Sequence, residues 1–172
     1  MKDDLVALQD YNLWANRRLL GSLAPLPHDD YVREAPGGGP SLRATLVHLA
    51  GATRAWAERF DGRDATSLPA LDEVPTLADA AAMLDAADAR ISAFLAGATP
   101  ERLAAPLVWK NLKKEEKVAP LWAVLRHTVN HATYHRGQLA AALKRLGGTP
   151  AGTDLVFWAI ERHASGAFED RA

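Results

Sequence analysis

Three histidines at successive four-residue steps constrain this chain more than any other feature of its sequence. His127, His131 and His135 fall within Leu125–Leu139, LRHTVNHATYHRGQL. On a helix each residue turns the chain by roughly 100°, so a four-residue step advances about 40°, and all three project from one broad face. Val124, Ala142 and Leu146 share that face and direct it toward a core. An imidazole on a buried stripe needs a partner, because an unpaired polar group there is costly. His131 and His135 are one turn apart, the spacing at which two imidazoles can reach one metal ion.

The rest of the chain reads as further helices around this one. Leu5, Leu8, Ala15 and Leu19 predict a first helix from Asp3 to about Gly21, with Asp3 and Asp4 suiting its start and Pro25 and Pro27 beyond its end. Asn12 and Asn16 lie on its apolar stripe. They tie loop or helix-end carbonyls, or they stand behind metal-bound imidazoles. Residues 22–40, with their prolines and Gly37–Gly39, read as loop, and His28 as a solvated loop residue. Ser41 predicts the N-cap of a second helix running to Phe60 or Asp61, with Leu42, Thr45, Leu49, Ala52, Trp56 and Phe60 inward and His48 at the stripe's edge. Thr76 to Asp79 resembles a capping box opening a third, alanine-rich helix that reads as scaffold. Leu107–Trp109 and Lys117–Ala119 read as a small hairpin or an extended excursion, with the charged run between them solvated. The histidine helix follows from Pro120 to Leu146 and stops at Gly147–Gly148. Asp154 is placed to cap a short last helix to about Arg162, whose Leu155, Val156, Trp158 and Ala159 are expected over one end of the bundle. His163 and the tail read as peripheral.

The histidine pair is met in three ways: coincidence, hydrogen bonding across an interface, or metal binding. If a metal is held, a third ligand is required, and His48 on a neighbouring helix is the best placed. His127 competes, but three imidazoles spread over about 12 Å of one straight helix cannot converge on one ion. His127 therefore belongs beside the site or at its mouth. Gln138 lies within about 20° of His131 and either bonds near the site or satisfies a core carbonyl. Arg136 points about 140° away and reads as a surface or inter-helix ion-pair residue. No H-E-x-x-H, G-x-S-x-G or phosphate-cradling glycine loop is present.

The totals narrow the classes further. With 172 residues, one domain over 1–172 is expected. A net charge of -1 offers no overall field for nucleic acid or an anionic membrane. The chain lacks cysteine, which removes disulfides, thiolate ligands and a protein thiol nucleophile together. Charges near the N-terminus and the lack of a long apolar run make a cytoplasmic protein the expectation.

Three stretches carry a resemblance: NHATYHRGQLAAALKRLGGTP followed by DLVFW, the early YNLWANRRLL, and LVHLAGATRAW in the second helix. Together they resemble the DinB/YfiT-like metalloenzyme family over nearly the whole chain. The resemblance implies an all-α, left-handed up-down-down-up four-helix bundle that is often a homodimer. It also implies a divalent ion, zinc or nickel or else manganese, held by residues matching His48, His131 and His135. Characterised members include transferases of low-molecular-weight thiols, which makes thiol transfer to a small-molecule substrate, with a small-thiol cosubstrate, the expected activity. A metal-dependent hydrolase and a non-catalytic metal-binding stress-response protein are the alternatives.

Overall fold

Four long helices carry the architecture, and each owes its limits to local chemistry. The computed structural model describes residues 1–34 and 40–166. Helix α1 (Lys2–Leu23) has Asp3 and Asp4 in its first turn, where the free N–H groups favour negative charge. It runs two residues past Gly21, because one glycine weakens a helix by only about 1 kcal/mol while the prolines beyond it break it. A short helix α2 (His28–Val32) follows, in a stretch expected to be loop. Its Tyr31 is buried, and burial of that ring offsets the poor intrinsic helicity of a five-residue turn. The Gly37–Gly39 loop lies outside the described residues. Helix α3 (Leu42–Phe60) is capped by Ser41, whose hydroxyl accepts from the Ala44 N–H at 3.0 Å. Helix α4 (Leu77–Gly97) opens with the expected reciprocal box: Asp79 N–H donates to Thr76 Oγ1, and Thr76 N–H to the Asp79 carboxylate.

A short helix α5 (Pro100–Ala104) leads into strands β1 (Pro106–Lys110) and β2 (Glu116–Pro120), paired antiparallel with Val108 opposite Val118. Asn111 closes the hairpin turn by accepting from the N–H groups of Lys113 and Glu115. Helix α6 (Leu121–Arg145) carries the three histidines. Gly147, at φ +81°, takes the left-handed conformation that ends it. Helix α7 (Leu155–Ala164) closes the described part. Asp154 occupies its N-cap position but makes no side-chain capping bond, contrary to expectation. Only Trp158 of α7 is buried, against Tyr11 and Trp14 of α1, while Leu155, Val156, Phe157 and Ile160 stay exposed rather than covering the bundle end.

Contacts along the helices set their directions. Lys2 donates to the carbonyls of Ala96 and Ala98, so α1 and α4 run antiparallel. Asp4 pairs with Arg126, and Asn12 and Asn16 with Arg136, so α1 and α6 are parallel. Phe60 stacks on Phe94, and Leu46 shares a cluster with Ala80 and Leu84, so α3 and α4 are parallel too. Helices α3 and α6 pack antiparallel, bringing Trp56 to His127 and His48 to His131. The order around the bundle is α1–α4–α3–α6, and the sense is up-down-down-up. Parallel neighbours need a long return. Residues 61–76 run back along α3, which is about 28 Å long. Pro69 crosses so close over Gly51 that a Cβ there would collide with its ring.

Among the described residues two large apolar clusters fill the bundle interior, and a smaller third lies around Tyr11, Ala15, Val129 and Trp158. The first surrounds Leu19, Leu46, Leu84 and Leu139; the second surrounds Phe60, Ile91, Leu95 and Leu121. Each fully buried leucine among them contributes about 1.5–3 kcal/mol. Between the clusters, where α1, α4 and α6 meet, lies a polar layer of Gln9, Asn12, Asn16, Asp88 and Arg136, all essentially without solvent contact. The histidines stand at the same level on the other flank of α6.

Candidate metal centre

The imidazoles of His48, His131 and His135 converge although α3 and α6 supply them from opposite chain directions. One ring nitrogen from each lies within 4.8 Å of the other two. His131 and His135 are closest, Nε2 to Nε2 at 3.1 Å, and their ring centroids lie 4.3 Å apart. The His48 ring stands 4.7 Å from that of His135 and 5.4 Å from that of His131. None of the three is fully buried, so solvent reaches the group. No other cluster of three or more histidine or carboxylate ligands occurs among the described residues.

The donor set fits a borderline divalent ion. Two imidazole nitrogens at about 2.0–2.1 Å from one tetrahedral zinc ion stand about 3.3 Å apart, close to the observed separation. Burial draws the pKa of His131 down to about 4, with the neighbouring His135, His48 and His127 adding to the effect. Burial, then His135, lowers that of His48 as well. Both rings are neutral at pH 7, with a lone pair free to donate.

The outer partners are equally specific. Gln138 Oε1 lies 2.7 Å from His135 Nδ1, and Gln138 Nε2 donates to the Tyr134 hydroxyl at 3.2 Å. With its amide nitrogen committed to Tyr134, Gln138 presents its oxygen to the histidine. His135 then carries its proton on Nδ1 and leaves Nε2 for the shared centre. Of the two roles open to Gln138 in the sequence, the structure shows the one beside the site.

His127 lies beyond the convergent group. Its ring centroid is 5.6 Å from that of His131 and 5.5 Å from that of Trp56, and it lines a cleft with Trp56 and Trp109. Burial lowers its pKa.

Asn12 and Asn16 are on the other flank of α6, and their described bonds reach neither imidazoles nor loop carbonyls. Their amide nitrogens donate to the Asp88 carboxylate at 3.2 and 2.8 Å, and Gln9 donates to the same group. Their oxygens accept from Arg136 at 2.6 and 2.8 Å. Arg136 also donates to Thr133 and to the Tyr11 hydroxyl. A buried anion and a buried cation are thus joined through two amides. Arg136 is an inter-helix residue, as one of its readings had it, and is not on the surface. Asp88, read within a scaffold helix, was missed. Its spacing held the signal, since Leu84, Asp88, Ile91 and Leu95 form one inward row.

Comparison with known proteins bears on this arrangement. Residues 1–164 match the DinB family. The chain is 31% identical over 159 residues to Protein DinB of Bacillus subtilis (strain 168), covering 90% of this chain and 92% of that one. In fold it is similar to YfiT from Bacillus subtilis, described as a probable metal-dependent hydrolase with an unusual four-helix bundle topology. That likeness has a TM-score of 0.63 at 17% identity and covers 85% of this chain and 87% of the other.

Proposed function

The chain belongs to the DinB family, and from that premise we propose that it is a divalent-metal-dependent enzyme whose ion is held by His48, His131 and His135. The observation that carries this reading is the convergence of three imidazole nitrogens from two helices, none of them fully buried. Three imidazoles with free positions form the catalytic pattern of zinc-type sites, and such donors favour zinc or nickel over the oxygen-preferring manganese.

The reaction we assign is transfer of a low-molecular-weight thiol to an electrophilic small molecule. The thiol loses its proton, a carbon–sulfur bond forms, and the leaving group departs with its electron pair. A bound divalent ion supplies Lewis acidity that favours the thiolate at neutral pH. His48, His131 and His135 hold it through their ring nitrogens, and Gln138 fixes the His135 tautomer. Two features support thiol transfer: no carboxylate joins the three histidines among the described residues, and the chain has no cysteine of its own. Hydrolysis, the second reading, is favoured by the likeness to YfiT. The exposed apolar residues of α7 support a homodimer.

Elemental analysis of tag-free protein should find one ion per chain, absent from His131→Ala. Thiol consumption with a panel of electrophiles should need the ion and fall to background in that variant. Equal rates in the two proteins would remove the assignment, and ion-dependent cleavage of ester or amide probes without thiol consumption would select hydrolysis instead.

A further inference from the structure

One cleft of the molecule abuts the three histidines without belonging to them. It has a volume of about 270 Å³ and is lined by Trp56 of α3, Trp109 and Ala119 of the hairpin, and Ala123, Val124 and His127 of α6. The two indoles meet edge to face, 5.4 Å apart at 65°, and the His127 ring stands nearly perpendicular to Trp56 at 76°. The other walls are two alanines and a valine. No charged side chain lines the space, and His127 is its one polar side chain besides the two indoles.

We propose that this cleft receives a planar apolar group, an aromatic ring or fused ring pair, carried by the substrate whose reactive atom lies at the three histidines. The proposal rests on the metal-centre reading for the position of that reactive atom, but not for the cleft itself. Size is the first argument. A dry cavity of about 150 Å³ accepts benzene, so about 270 Å³ open to solvent has room for a larger flat group. Shape is the second, because perpendicular aromatic walls favour edge-to-face and offset contacts with another ring. Composition is the third. An anionic or strongly polar body would lose its hydration against indole and methyl groups and find one imidazole in return. Continuity is the last. His127 forms part of the cleft wall and its ring lies 5.6 Å from that of His131, so this one ring connects the cleft to the proposed centre. Ala119 and Ala123 set the room available, which makes them determinants of substrate size.

Zinc-loaded protein is titrated with 2-naphthohydroxamate and acetohydroxamate, which share a metal-binding head and differ in the apolar body. The naphthyl compound should bind at least tenfold more tightly. Ala123→Leu, a helix-compatible substitution that fills the cleft, should abolish most of that excess while leaving acetohydroxamate affinity and zinc content unchanged. Equal affinity of the two probes, or an excess indifferent to Ala123→Leu, overturns the proposal and leaves the metal centre standing. Should the protein retain no zinc and bind neither hydroxamate, the metal-centre reading fails. The cleft is then decided by 2-naphthol with metal-free protein: quenching of tryptophan fluorescence that Ala123→Leu removes upholds it, and no quenching overturns it.

Discussion

At the scale of single residues, Gln138 has the most to reveal. It touches no proposed open position, yet it holds the His135 ring through Nδ1 and is itself held by Tyr134. Partners of this kind change metal affinity by about 10–100-fold when removed. Gln138→Leu should therefore weaken zinc binding by that factor in a competition titration with a chelator, while the unfolding temperature of the metal-free protein stays nearly constant. His131 predicts a pH effect. Its pKa falls from 6.5 to about 4 on folding, so the unfolded chain takes up the proton first as pH drops. Metal-free protein should show no effect of this group above about pH 6.5 and a progressive loss of stability between there and pH 4. Urea midpoints at pH 7.5, 6 and 4.5 should therefore fall less steeply in His131→Asn than in the unchanged protein. The His131–His135 pair was legible because i,i+4 repetition is a property of one helix. The Gln138–Tyr134 link was only half legible, since helical phase places Gln138 near the ring but does not say which way its amide turns.

At the scale of elements, α6 is a rod with two working flanks. His135 faces α3 and Arg136, the next residue, faces α1, so the polar layer that anchors Arg136 also sets the angle at which the histidines meet α3. Asp88→Leu leaves the Arg136 charge buried without its counter-ion, and loss of one partner from a buried pair destabilises by about 3–5 kcal/mol. Chemical denaturation of Asp88→Leu should show a loss of that size, and Asp88→Leu with Arg136→Met should recover a large part of it. If the double variant is no more stable than the single, the two charges are not coupled through Asn12 and Asn16. The sequence displayed the asparagines as anomalies on an apolar stripe. Their partners were hidden because Asp85 and Asp88 look alike in an alanine-rich helix, and only the phase relative to Leu84 and Ile91 tells them apart. Helix α2 was hidden for a related reason: one buried tyrosine stabilises a turn that local propensity alone would leave as coil.

At the scale of the whole molecule, the α7 surface bears on assembly. Leu155, Val156, Phe157 and Ile160 are between 46% and 60% exposed on one short helix. If they meet a second copy, as the proposed homodimer requires, Ile160→Glu combined with Phe157→Glu should give a monomer by light scattering without changing the far-ultraviolet dichroism. A monomer before substitution would remove that proposal. The four long helices followed from periodicity and the up-down-down-up bundle from the family resemblance, but periodicity alone did not say which helices lie side by side. That choice depends on the length of the connections and on pairs such as Phe60 with Phe94, which a one-dimensional pattern does not contain.

The parallel course of α3 and α4, with Pro69 strapped across Gly51, also has a consequence in time. No two adjacent long helices are joined by a tight turn, so none can zip together as a hairpin from its own connection. Every long-helix interface waits on closure of a lengthy loop, and topologies of this kind fold more slowly than bundles of nearest neighbours. During synthesis α1 and α3 emerge long before α6, which must arrive to bridge them. The three imidazoles therefore come together only late, and a nascent chain halted before Arg145 has left the ribosome exit would lack the proposed metal centre.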